Sequence, residues 1–109
     1  METWGAAMNY ETVRQAILNR RSLACVYDTH VRFFSPHILG KSPDGGVTVV
    51  GFQYAGGRQQ GRLPSEGEWC CFRVDRLQRL RPVADKWTTG PLSSYPEGRV
   101  SAIDVSAWS

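Results

Sequence analysis

The hydrophobic pattern of this chain changes period once, near residue 22. Upstream, Tyr10, Val13, Ala16 and Ile17 recur at helical spacing and form one apolar stripe. Asn9 stands where an N-cap belongs, and Glu11 sits in the first turn, where the helix dipole favours an acid. Arg20 and Arg21 fall in the last turn, where positive charge is favoured. The spacing predicts one helix over 10–21. The first eight residues show no clear periodicity and are expected to fray.

Downstream the pattern becomes that of strands. Residues 23–27 and 31–35 flank the turn Asp28-Thr29-His30, which is a hairpin signal. Pro36 has no N–H to give a ladder, so it predicts an edge, a bend or a change of strand partner. The cluster Pro43-Asp44-Gly45-Gly46 predicts a turn. Residues 47–54 make the strongest strand, rich in β-branched and aromatic side chains, and Gly51 within it predicts a bend or the close approach of another backbone. Residues 55–68 form a long Gly-rich loop, of the kind that is often functional or disordered. A strand follows over 69–74, then a strand or helical turn over 76–81 that Pro82 ends. Residues 88–99 look linker-like, and 100–105 alternate as an added edge strand would.

One helix and about five short strands predict a mainly β, α+β fold that closes as a small, strongly bent barrel. Residues 9–87 would hold the helix and barrel, and 88–109 a tail. At 109 residues the chain has room for one modest core. No apolar run is long enough to span a membrane, and Met1 to Gly5 lack the basic and apolar regions of a secretory signal. Three cysteines, an odd number, imply reduced thiols in a cytoplasm.

The net charge of +3 excludes a dedicated DNA-packaging protein. Its distribution says more: Arg73, Arg76, Arg79 and Arg81 crowd one segment with Asp75 the sole acid among them. Such a run is either a solvated face or a patch for phosphate or carboxylate, which guanidinium groups bind through two parallel bonds. Phe33 and Phe34 are consecutive, so a regular strand sends only one of them inward. An exposed aromatic beside arginine suits either base stacking or a protein contact.

Metal and catalytic chemistry find little footing. His30, His37 and the cysteines have none of the spacings that zinc ligands need, and Cys70 and Cys71 point to opposite faces of a regular strand. A Cys–His nucleophile pair needs an environment that favours the thiolate and a partner that orients the histidine; no spacing selects one. No metal, cofactor or catalytic residue is expected, and the chain is not expected to be an enzyme.

Residues 16–83 resemble a WYL domain, a small Sm-like β-barrel found mostly in bacteria, commonly behind a winged-helix DNA-binding domain. The resemblance is carried by Asn19-Arg20-Arg21-Ser22-Leu23, Val26-Tyr27-Asp28, Arg32-Phe33-Phe34-Ser35-Pro36-His37-Ile38-Leu39 and Phe72-Arg73-Val74-Asp75-Arg76-Leu77, in that order. Two places depart from the family pattern. Val47-Thr48-Val49 stands near the name-giving Trp-Tyr-Leu, and Cys70 stands where an arginine is usual. The resemblance implies a stand-alone regulatory or ligand-binding module, with a nucleotide or single-stranded nucleic acid as ligand. It places Tyr27, Arg32, His37, Arg73 and Arg76 at the ligand site. The alternative is a protein-interaction module, for which a homodimer is the expected association, with Trp87 and Trp108 folded back on the barrel or packed on a second subunit.

Overall fold

The computed structural model describes residues 2–108, with side chains from residue 7 onward, so the reading of Met1 to Gly5 lies outside the described side chains. Helix α1 (Glu2–Asn19) is followed by strands β1 (Ser22–Tyr27), β2 (His30–Lys41), β3 (Val47–Gly56), β4 (Glu68–Arg73), β5 (Gln78–Val83) and β6 (Ala102–Ser106). The chain is mainly β with one helix, an α+β fold.

Helix α1 starts a full two turns before the expected point. Glu2, Ala6, Ala7 and Met8 are strong helix formers, and propensity alone carries the helix upstream of its apolar stripe. Asn9 is therefore no cap. It lies inside the helix, and its side-chain amide donates to the carbonyls of Val74 (3.0 Å) and Leu77 (2.8 Å), tying α1 to the turn before β5. Arg20 and Arg21 lie just past the last turn. Arg20 takes a left-handed conformation (φ 53°), while its N–H and that of Arg21 reach back to the carbonyls of Ile17 and Ala16. That is the Schellman way of ending a helix, with arginine where glycine is usual.

The sheet is antiparallel throughout, in the order β4-β3-β2-β1-β5, with β6 also on β2. Strand β2 is long enough to have two successive neighbours on one edge: β1 along 30–34, then β6 along 38–41. Pro36 lies in the gap between them, where no partner needs its missing N–H. Opposite it, Gly51 lets two strands cross closely, since a Cβ there would stand 2.8 Å from both the Phe34 ring and the Ser35 carbonyl.

The sheet curls strongly. β4 and β5 are its two ends, yet only residues 74–77 separate them in sequence. Four strand spacings laid flat would put them roughly 19 Å apart, more than a chain containing the tight 3-10 turn Val74–Arg76 reaches. The expected closed barrel is not what results, however. Among the described residues no ladder joins β4 to β5, so the sheet is bent but open, and its sixth strand is the expected added edge strand. The 3-10 turn takes the backbone out of strand geometry just where closing bonds would begin.

Both faces of the central strands are buried. The inner face sends Leu23, Cys25, Phe34, Leu39, Val49 and Phe72 against Val13, Ala16 and Ile17 of α1. The outer face is covered in part by the tail, which is no linker. Trp87 Nε1 donates to the Pro36 carbonyl, the Thr88 N–H to Ser35 Oγ, and Trp69 Nε1 to the Pro91 carbonyl. Removing the tail would expose Phe52, Ser35 and His37.

Candidate nucleic-acid interface

Tyr27 and Arg32 meet at one end of the inner core. Arg32 is only 7% exposed and forms no ion pair among the described residues. Its Nε and Nη2 donate to the Tyr27 carbonyl, and its guanidinium lies over the rings of Phe72 (5.4 Å) and Tyr27 (5.7 Å). With Nη1 also reaching Gln53 Oε1 of β3 at 3.5 Å, it ties the β1–β2 hairpin to the neighbouring strands. The Tyr27 hydroxyl accepts the backbone N–H of Arg73.

Arg73 itself leaves this spot. Its side chain crosses Gly46 and comes within 3.8 Å of the Asp44 carboxylate. Arg76 is exposed on the 3-10 turn. His37 is elsewhere again, with no exposed surface, stacked on Trp87 at 4.3 Å and edge-on to Trp69 at 4.9 Å. Its Nδ1 donates to the Ser35 carbonyl (2.7 Å) and its Nε2 accepts from Thr89 Oγ1 (3.2 Å), so the neutral ring satisfies both partners. Burial, reinforced by the nearby Arg20 charge and only partly offset by the Ser35 bond, lowers its pKa to about 4.

The five expected positions therefore do not form one surface. Tyr27 and Arg32 are structural in the core, and Arg73 joins them only through its backbone. His37 pins the tail, and Arg76 stands apart. Arg32 and His37 lie five residues apart on β2, an odd spacing that sends their side chains to opposite faces of the sheet.

A different basic surface lies on the outer face, where β5 joins β1. Ala24 pairs with Arg81 and Val26 with Gln78, so Arg79 and Leu80 together oppose Cys25. This is a β-bulge, with Arg79 in the left-handed region (φ 53°). The bulge turns Arg79 and Arg81 into one cleft of about 500 Å³, floored by Val26, Val31 and Leu80. Arg81 Nη1 braces itself on the Arg79 carbonyl (2.9 Å). Among the described residues neither arginine forms a salt bridge.

The same face carries an aromatic ring. Paired residues of neighbouring strands share a face, so the pairings of Ala24 with Arg81 and Phe33, and of Phe33 with Ala55, define a row Arg81–Ala24–Phe33–Ala55. Phe34 is fully buried inside while Phe33 is half-buried outside, flanked by two alanines. The crowding of arginines and the consecutive phenylalanines were visible in the sequence. The bulge that joins them was not, because arginine holds the position where glycine would have signalled it.

The thiols do not look like nucleophiles. Burial raises the pKa of Cys25 to about 11 and that of Cys70 well above the ordinary thiol range, and it also raises that of Cys71. Among the described residues no three His, Cys, Asp or Glu side chains converge as metal ligands would. No described helix is long and apolar enough to cross a membrane.

Comparison with protein-family models, with curated proteins and with solved structures finds no match to this chain. The class it can be assigned to is the one its own geometry defines: an open, strongly bent α+β module with a basic and aromatic outer face.

Proposed function

We propose that this chain is a non-enzymatic binding module that takes a phosphate-bearing ligand on the outer face of β5 and β1. The observation that carries this reading is the bulge that turns Arg79 and Arg81, neither in a salt bridge among the described residues, into one apolar-floored cleft. Holding a non-glycine residue in the left-handed region costs roughly 1–2 kcal/mol, and such strain often accompanies a site. The high thiol pKa values and the fully engaged His37 favour binding over catalysis. Three free thiols favour a reducing, cytoplasmic setting. A helix leading into a curled sheet whose ends are joined by one short turn supports kinship with the Sm-like WYL barrels, on a surface other than the one that resemblance implies.

Calorimetry with inorganic tripolyphosphate tests the reading. Binding should weaken between about 50 and 200 mM salt, because phosphate contacts release counterions, and the double variant Arg79→Ala/Arg81→Ala should lose it. Binding that survives the double substitution, or no binding at low salt, would refute the assignment. A second reading, a protein-interaction or self-associating module, is favoured by Ile103, 55% exposed on β6, whose only partner strand among the described residues is β2.

A further inference from the structure

We infer that three aromatic rings, Trp69, Tyr95 and Trp108, form a site for a quaternary ammonium group. The site is separate from the cleft of Arg79 and Arg81 and does not depend on the anion reading. Three remote segments deliver the rings. Strand β4 carries Trp69, the 3-10 turn Leu92–Ser94 ends at Tyr95, and Trp108 lies just beyond β6. Each pair stands near a right angle. Trp69 and Tyr95 have centroids 5.1 Å apart at 90°, Tyr95 and Trp108 5.0 Å at 76°, and Trp69 and Trp108 6.1 Å at 67°. Three walls meeting at the corner of a box have these angles and spacings. A point in front of all three lies about 4 Å from each centroid, inside the ~6 Å over which a ring face attracts a cation. The corner is not sealed: Trp69 and Tyr95 are half-buried and Trp108 is 45% exposed.

The corner suits a methylated cation better than a hydrated one. An indole N–H can only donate, and that of Trp69 is turned away to the Pro91 carbonyl (2.9 Å). A metal ion or bare ammonium would exchange water for indole faces that offer no lone pair. A quaternary ammonium spreads its charge over methyl groups, which also gain from apolar contact. The same cluster already holds one cation. The Arg20 guanidinium lies 5.4 Å from the Trp87 centroid, and Trp87 stacks on His37, which packs against both Trp69 and Trp108. Arg20 donates to the carbonyls of Ile17 and Ala107, which keep it on Trp87 and out of the corner. His37 is neutral in the folded chain and adds no repelling charge. Glu97 and Arg99, both exposed, follow Tyr95 with opposite signs, so the attraction rests on the ring faces rather than on an ion pair.

Proton NMR of the ligand's methyl groups tests the inference on the full chain, because ring faces shift such protons upfield. The probes are tetramethylammonium, choline, trimethyllysine and the uncharged tert-butyl analogue of choline. The three cations should give a saturable upfield shift with Kd of about 1 mM, and the neutral analogue should bind roughly tenfold more weakly or worse. Unlike binding at the arginine cleft, the affinity should change little between about 50 and 200 mM salt. Choline ahead of trimethyllysine would identify a small-molecule source and the reverse a modified side chain; either order upholds the inference. Trp108→Leu and Tyr95→Leu should each weaken the cations roughly three- to tenfold, with unchanged melting curves, while Tyr95→Phe should keep the affinity. A neutral analogue bound as well as choline, undiminished affinity in both leucine variants, or no saturable shift overturns the inference. None of these outcomes bears on the anion reading, which tripolyphosphate tests separately.

Discussion

His37 shows how a single side chain can be read for the wrong task. A histidine beside a proline, in a stretch that resembles a ligand-binding family, invites a role in recognition. Its surroundings give it another: both ring nitrogens are committed, and three tryptophans surround it. Because its pKa is about 4 when folded and about 6.5 when exposed, the unfolded chain binds the extra proton first as the solution is acidified. His37 therefore contributes stability that is complete above about pH 6.5 and falls away towards pH 4, by roughly 3 kcal/mol in all. Denaturant titrations across that interval should show the fall in the natural chain and a shallower one in His37→Phe. Equal slopes would mean that the imidazole is not held neutral by burial.

At the level of elements, the tail changes standing. The Gly, Pro and Ser content of 88–99 reads as a linker, yet that stretch bonds to the sheet, while β6 is the expected edge strand on β2 beyond β1, and the Ala107 N–H donates to the His37 carbonyl at 2.7 Å. Gly40 makes the docking possible, for a Cβ there would lie 2.2 Å from the Ala102 carbonyl oxygen. Tyr10 and Arg14 of α1 also reach Asp104 of β6, so the helix and the last strand are joined directly. Gly40→Ala should cost about 1–3 kcal/mol, as overpacking does. It should also speed hydrogen exchange at Ala107 more than at Leu23 in β1. Uniform acceleration, or none, would show that β6 does not depend on this approach.

The whole molecule looks self-sufficient. Its radius of gyration is 12.7 Å, against about 13 Å expected for a compact chain of this length. Its accessible surface is 6489 Å², close to the roughly 6,100 Å² expected for a monomer of its mass. Exposed large apolar residues are spread over α1 (Met8, Leu18), β2 (Val31), β6 (Ile103) and the tail (Leu92, Trp108). Sedimentation equilibrium should accordingly find a monomer at tens of micromolar, about the range where weak standard-sized contacts begin to populate. A dimer there would favour the protein-interaction reading and the open edge of β6.

Local chemistry made much of the fold legible. Periodicity located the helix stripe, the hairpin of β1 and β2, the Pro-Asp-Gly-Gly turn, the strand around Gly51 and the final edge strand, because each depends on residues within a few positions of one another. The helix start was missed because alanine and methionine extend a helix without a stripe. The candidate cleft of Arg79 and Arg81 was not legible for a different reason. Arg79 and Arg81 are presented together by a bulge in β5, and a one-residue slip of register turns a side chain to the opposite face. The sequence by itself determined which segments become helix and strand. Only the tertiary structure decided that Arg32 and His37 go inside and that Arg79 and Arg81 face outward together, because register is settled by partners that lie far along the chain.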